Sequence, residues 1–151
     1  MNIFLDTNVV LEYALRREKF QRARELFEKI ESQRDCMYIS EGSFYSMVFL
    51  VDKFLRKQIG LVGEERISSL RVIMANILYD VNISGCEKDD LLRSVNNPIF
   101  KDLEDSCQYQ AAVKAGCKYL VTFNIADFPV GNDGSVQVLT PQQYLDLNTN
   151  K

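Results

Sequence analysis

The chain of 151 residues contains no histidine. That absence excludes Ser-His-Asp and Cys-His nucleophile systems, and with them any imidazole general base. The four cysteines, Cys36, Cys86, Cys107 and Cys117, never form a C-x-x-C pair. A zinc site would need all four thiolates, and their wide spacing does not point to one. Cys36, Cys107 and Cys117 sit in apolar patterns and are expected to be buried, reduced thiols.

Long apolar runs are missing as well, since none approaches the ~20 residues of a membrane span. The N-terminus reads MNIFLD, with an acid at position 6 and no basic segment before an apolar one. A signal peptide is therefore not expected, and a cytoplasmic protein without a membrane partner is. Positive charge is not in excess: Lys and Arg total 18 against 21 Asp and Glu, for a net charge of −3. Any contact with nucleic acid would need a local basic patch.

What is present is an ordinary globular composition, 46% apolar and 26% charged. The length suits one domain over residues 1–151 and a proper core. Without imidazole, any catalysis must run on carboxylates, hydroxyls, amides, Lys and Arg, or a hard cation. Oxygen-rich sites of that kind suit Mg²⁺ or Mn²⁺.

Along the chain, residues 2–5 form a short apolar run ended by Asp6-Thr7-Asn8, a buried strand entering a helix that Thr7 or Asn8 can cap. Helical spacing then runs from Val9 to Ile30, as two helices or as one broken near residues 17–19. Cys36–Ser40 reads as a second buried strand, after which Ser40 opens an aromatic-rich helix to about Lys57. Its Phe44, Tyr45 and Phe49 are expected in the core or in a dimer interface. Gly60 and Gly63 punctuate, and residues 64–78 return to helical periodicity. Tyr79–Ile83 is a weaker strand, followed by a short helix around Leu91 and Leu92 that Pro98 terminates. Leu103–Ala115 predicts a strong helix stopped by Gly116. Lys118–Thr122 and Val136–Leu139 predict the last two strands, and Pro141 starts a closing helix capped by Thr140. Strands alternating with helices predict a three-layer α/β/α sandwich around a parallel sheet.

In open parallel sheets, ligands bind beyond the carboxyl ends of the strands. Three clusters fall there: Asp6-Thr7-Asn8 after the first strand, Asp102, Glu104 and Asp105 at the head of the strong helix, and Asn124 with Asp127 after the fourth strand. Each has a plain structural reading. Asp6 can be a turn residue, and Asp102 can cap its helix, where acids are favoured by the dipole. Asp105 differs, because its helical neighbours are small or apolar. An acid aimed into an enclosed cleft needs a partner, and a metal shared with Asp6 would supply one.

The segments IFLDTNVVLEYAL, YISEGSFYSMVFLVDKFL, KDLEDSCQYQAAVKAGCKYLVTFNIADF and VLTPQQYL, in that order, resemble the PIN domain over nearly the whole chain. The nearest likeness is to small bacterial PIN proteins related to toxins of type II toxin–antitoxin systems. The resemblance implies a parallel sheet of about five strands in an α/β/α fold. It also implies a Mg²⁺- or Mn²⁺-dependent ribonuclease with an RNA substrate, an antitoxin partner and a homodimeric assembly. Carried over by position, Asp6 and Asp105 are metal ligands, with Asp102 an additional ligand and Glu104 a further catalytic acid. Thr7, Asn8, Glu41, Ser46, Thr122, Asn124 and Asp127 would support those ligands or orient water. The family's second acid falls at Ser46, which carries no charge. Glu41, Asp102 and Glu104 are the acids that could substitute for it.

The chemistry so implied is metal-assisted phosphodiester hydrolysis. RNA would be held by Arg16, Arg17, Lys19, Arg22 and Arg24, or by Lys53, Arg56 and Lys57. Acids interleave the first stretch, which equally describes a solvated helix face. Two other functions compete. Haloacid-dehalogenase-type phosphatases also begin with an apolar run and Asp, but need a second Asp where this chain has Asn8. The stronger competitor is a PIN-fold binding module that has lost turnover and docks a protein or RNA partner in its acidic cleft.

Overall fold

Apolar runs too short for a helix make the three inner strands of the sheet, while the two edge strands carry only one or two apolar residues each. In the computed structural model, which describes residues 1–130 and 134–147, these strands are β1 (Asn2–Leu5), β2 (Cys36–Ser40), β3 (Asn82–Ser84), β4 (Tyr119–Val121) and β5 (Gln137–Leu139). The expected domain of residues 1–151 includes 131–133 and 148–151, which lie outside the described residues. All pairings are parallel, and the order across the sheet is β3-β2-β1-β4-β5. The chain thus builds outward from β1 in one direction, then returns to lay β4 on the other side. That reversal puts a crevice between the carboxyl ends of β1 and β4.

Seven α-helices cover the described sheet: α1 (Thr7–Ala14), α2 (Phe20–Ser32), α3 (Glu41–Phe54), α4 (Gly63–Asp80), α5 (Lys88–Val95), α6 (Leu103–Lys114) and α7 (Pro141–Leu145). Side-chain alternation along the strands feeds two cores. Ile3, Leu5, Met37, Ile39, Tyr119 and Val121 pack with residues of α1 to α4 and α7. Phe4 and Leu120, between them in sequence, face Ala111 and Ala112 of α6 together with Phe100 and Phe128. The result is the expected three-layer sandwich with a parallel five-stranded sheet.

The break between α1 and α2 falls at Arg16, whose φ of 48° lies in the left-handed region and turns the chain out of the helix. Two helices is therefore the correct reading of residues 9–30. Helix α3 continues as a π-helical turn, Leu55–Ile59, and stops at Gly60 with φ 79°. Gly116, at φ 61°, ends α6 in the same way, at a position where a Cβ would be strained. Thr140 caps α7 reciprocally with Gln143, and Pro141 occupies its first turn.

Three expectations change. Tyr79 and Asp80 belong to α4 rather than to a strand, because Met74 and Ile77 carry its apolar stripe into the core while Tyr79 is left exposed. Neither Thr7 nor Asn8 caps α1: the cap position is Asp6, whose side chain makes no capping bond. Of the thiols expected to be buried, only Cys117 is. Cys36 is exposed at the open first position of β2, and Cys107 is half-buried on α6. Among the aromatics of α3, Phe44 packs against the core, but Tyr45 and Phe49 are each 63% exposed.

Candidate active site

Asp6 follows β1, and its backbone N–H still bonds the Val121 carbonyl of β4 at 3.0 Å. This continuation of the ladder holds the residue at the crevice. The carboxylate is buried at 5% exposure. Thr122, fully buried after β4, donates its hydroxyl to Asp6 Oδ2 at 2.9 Å and accepts the Asn124 N–H at 3.0 Å. Burial pushes the Asp6 carboxyl above its ordinary value. The hydrogen bonds of Thr122 and Gln108 and the Thr7 backbone oppose that rise, and the charge of Asp127 adds to it.

The opposite wall is α6. Asp102 is its cap: Oδ1 accepts the N–H of Glu104 at 2.7 Å and of Asp105 at 3.3 Å. Capping satisfies donors that the first turn would otherwise leave free, so the plain reading of Asp102 is the one realised. Asp105, one turn in, is half-buried. Its carboxyl is raised to about 7, first by burial and then by the charges of Asp102, Asp6, Asp127 and Glu104. The charges of four other acids therefore reach Asp105, though Asp102, Glu104 and Asp127 are themselves exposed.

Gln108 joins the two walls, and the sequence reading did not single it out. Buried at 2% exposure, it accepts the Thr7 N–H through Oε1 at 3.2 Å and the Thr7 hydroxyl at 3.4 Å. Its Nε2 donates to Asp105 Oδ1 at 3.4 Å. One amide thus spans from the head of α1 to the acid of α6. The available signal was its position: one turn after Asp105 on a face otherwise made of small or apolar residues.

The remaining expected residues are more dispersed. Asn8, Asn124 and Asp127 are exposed at the mouth, with Asn124 engaged by its backbone. Ser46 is half-buried on α3. Glu41 is exposed at the head of α3, where it accepts the Tyr45 hydroxyl at 3.1 Å and borders a separate cavity with Ser84 and Cys86. The basic stretch of α2 is largely matched within itself, Arg22 with Glu25 and Arg24 with Glu28, as a solvated face would be. Arg16 and Lys19 instead lie over aromatic rings, the Arg16 guanidinium 5.6 Å from the Phe20 ring centre and the Lys19 ammonium 4.8 Å from that of Phe123 beside the site.

Among the described residues, no three His, Cys, Asp or Glu side chains are grouped as a ready-made metal cage. The expected trio of Asp6, Asp105 and Asp102 is not assembled, since the Asp102 carboxylate is turned to its own helix. Asp6 and Asp105 remain as a pair of oxygen donors whose mutual repulsion a cation would relieve. Mg²⁺ is commonly held by one or two carboxylates, with water completing its shell, so this donor set fits it.

No curated protein matches the sequence. Solved structures of the same fold include VapBC2 from Rickettsia felis bound to a DNA fragment from their promoter, at TM-score 0.67 and 12% identity, covering 93% of this chain and 98% of that one. VapBC-1 from nontypeable Haemophilus influenzae aligns at TM-score 0.59 and 17% identity, covering 94% and 99%. At such identities the likeness establishes the fold alone. The family model described as PIN domain matches residues 2–126. That stretch runs from β1 through Asp6 and Asp105 to the segment after Thr122, and the chain accordingly belongs to the PIN-domain family.

Proposed function

We propose that the chain is a metal-dependent endoribonuclease that hydrolyses RNA phosphodiester bonds and serves as the toxin of a toxin–antitoxin pair. The observation that carries this reading is the Asp6–Asp105 pair at the β1/β4 crevice, where burial first, and then the charges of neighbouring acids, raise Asp105 to about 7. A cleft that crowds carboxylates at such a cost is poised for a divalent cation. Asp6 and Asp105 are the ligands of Mg²⁺ or Mn²⁺ in this reading. When bound, the ion supplies Lewis acidity, acidifying a water and offsetting charge on the reacting phosphate.

The other residues orient and charge the site. Thr122 fixes Asp6 through Oδ2, and Gln108 fixes Asp105 through Oδ1. Asp102, Glu104 and Asp127 add negative potential that strengthens cation binding. With no histidine, the proton of the attacking water leaves through the exposed carboxylates of Glu104 or Asp127 to solvent. Lys19, beside Phe123, is the cation best placed to meet an RNA backbone. The toxin assignment rests on the family resemblance and on the fold's likeness to VapBC structures. An antitoxin that covers the cleft, a cytoplasmic location and a homodimer through the exposed Tyr45 and Phe49 of α3 belong to the same reading. No helix among the described residues is long and apolar enough to cross a membrane.

A specific observation favours a second reading. Ser46 stands at the position of the family's second acid, and the described acids form no three-membered cage. A binding module that docks a basic partner segment in the cleft would need nothing more. Cleavage of structured and unstructured RNA with Mn²⁺ or Mg²⁺, compared between wild type and Asp6→Asn, separates the two. Metal-dependent cleavage lost in Asp6→Asn supports the nuclease. RNA left intact by both proteins, while Mn²⁺ still raises the melting temperature of the wild type, selects the binding module. Equal stabilisation of both proteins by Mn²⁺ overturns Asp6 as a ligand.

A further inference from the structure

Beyond the acidic crevice, at the carboxyl ends of β2 and β3, lies a cavity of about 300 Å³ bordered by Ser40, Glu41, Tyr45, Ser84, Cys86 and Cys107. Two of the four cysteines thus face one space, although 21 positions separate them in the sequence. A side-chain bond sets their register. Ser84, the last residue of β3, donates its hydroxyl to the Ala111 carbonyl of α6 at 2.8 Å. Helix α6 leads by a short turn into a parallel strand, so it runs antiparallel to β3. From that bond, two residues onward along the chain reach Cys86, a span of at most about 7 Å. Four residues back along α6 reach Cys107, about 6 Å in the same direction and on the same helical face as Ala111. The two thiols therefore meet at one height on the cavity wall.

Their surroundings agree. Both cysteines are half-buried and reduced. Both line the same cavity; the Cys86 thiol is held above its ordinary value by burial, by the Asp90 carboxylate and by Cys107, with Lys114 opposing, so its attack on an oxidant quickens as pH rises. The other thiols are differently placed: Cys36 is exposed at the far end of β2, and burial pushes the Cys117 thiol up to about 12. Cys117 is therefore inert, and Cys36 is reactive only toward the solvent.

We propose that Cys86 and Cys107 form a redox modification site, closing an intramolecular disulfide that staples the β3–α5 loop to the first half of α6. The oxidant class is a small-molecule disulfide such as oxidised glutathione. One cysteine thiolate attacks it, forming a mixed disulfide and releasing one glutathione thiolate. The second cysteine thiolate then attacks the protein sulfur of that mixed disulfide and releases the second glutathione. Two protein thiols are oxidised, one small-molecule disulfide is reduced to two thiols, and both thiol protons are returned with them. The bridge would enclose α5 in a covalent loop and anchor α6 two residues from Asp105. The redox state would then be coupled to the rigidity of the wall that carries that acid. The claim stands whether or not the cleft turns over RNA.

The test uses the full chain carrying Cys36→Ser, equilibrated in glutathione buffers of increasing oxidation, quenched by alkylation and read by intact mass and peptide mapping. The expected result is the loss of two alkylatable thiols without added glutathione, a Cys86–Cys107 cross-linked peptide, and a higher melting temperature that dithiothreitol reverses. Cys107→Ser and Cys86→Ser should each take up a single glutathione instead and show no such rise. Two separate glutathione adducts on the parent protein, unchanged thiols in the most oxidising buffer, or a cross-link involving Cys117 would each overturn the proposal. Far-ultraviolet circular dichroism of the reduced variants verifies that each is folded before its thiols are scored.

Discussion

The Thr122 hydroxyl donates to Oδ2 of Asp6 at 2.9 Å, although 116 positions separate the two residues. Both are buried, and both stand one residue past the ends of adjacent parallel strands. The bond crosses the line at which the sheet reverses its order of growth, and it is a direct partner for a carboxylate that burial makes costly. Replacing Thr122 by Val keeps the shape and removes the donor. Stability at neutral pH should fall by about 1–3 kcal/mol, the cost of a buried group left unsatisfied, while Thr122→Ser restores most of it. Urea denaturation of the three proteins measures this.

Asp105 makes stability depend on pH in a defined direction. Its folded carboxyl titrates at about 7 against an ordinary 3.8, so the native state holds a proton that the unfolded chain has already released. Its contribution is complete below the unfolded value and is lost as pH rises through about 7. Asp6, also raised, acts in the same sense. Asp105→Asn should flatten the decline, and its melting temperature should exceed that of the wild type above pH 7. A steeper decline in the variant would contradict this account.

The same repulsion should make divalent metal stabilising. Mg²⁺ or Mn²⁺ is expected to raise the melting temperature of the wild type above pH 7, and to do so little in Asp6→Asn or Asp105→Asn. Calorimetric titration at fixed pH checks both the affinity and the release of protons that must accompany binding.

Gln108 is predicted to position ligands without contacting RNA. Gln108→Leu removes its links to Thr7 and Asp105, and should weaken Mn²⁺ binding about 10–100-fold, the usual effect of losing a partner of a metal ligand. Gln108→Glu should be compared with it, because a carboxylate can still accept from Thr7 but adds one more charge to the cluster. A Mn²⁺ affinity unchanged in Gln108→Leu would remove Gln108 from the site.

Leu120, in the middle of β4 and fully buried, faces the core beneath α6. Leu120→Ala should cost about 2–5 kcal/mol through lost burial and an unfilled cavity. Chemical denaturation reads it, and the loss should be independent of metal because the side chain is packed wholly within an apolar cluster.

Asp6 and Asp105 were legible in the sequence for different reasons. Asp6 ends a short apolar run, and Asp105 interrupts the small-residue face of a strongly periodic helix. The cap at Asp102 was legible too, since an acid just before a helix satisfies free N–H groups by local geometry alone. Gln108 was not, because an amide in a helix gives no local sign of which strand end it will touch. Glu41 and Ser46 could be numbered against the family pattern, and the Glu41–Tyr45 contact is a local one, four residues apart on α3. The difference at Tyr79 and Asp80 has another source: apolar residues continue from the end of a long helix to a three-residue strand with only Asp80 and Asn82 between them, and the core contacts of Met74 and Ile77 decide where the helix ends.

By itself the sequence determined the alternation of strands and helices, the caps and glycine stops that bound them, and, by the lack of histidine, a chemistry without imidazole. These follow from interactions among residues a few positions apart. The tertiary structure decided which groups meet. Laying β4 beside β1 joined Thr122 to Asp6, the docking of α6 brought Gln108 and Asp105 to the same crevice, and the Ser84–Ala111 bond set Cys86 level with Cys107. Those pairings span tens of residues, and they exist only once the crossovers have fixed the order of the sheet and the faces its helices cover.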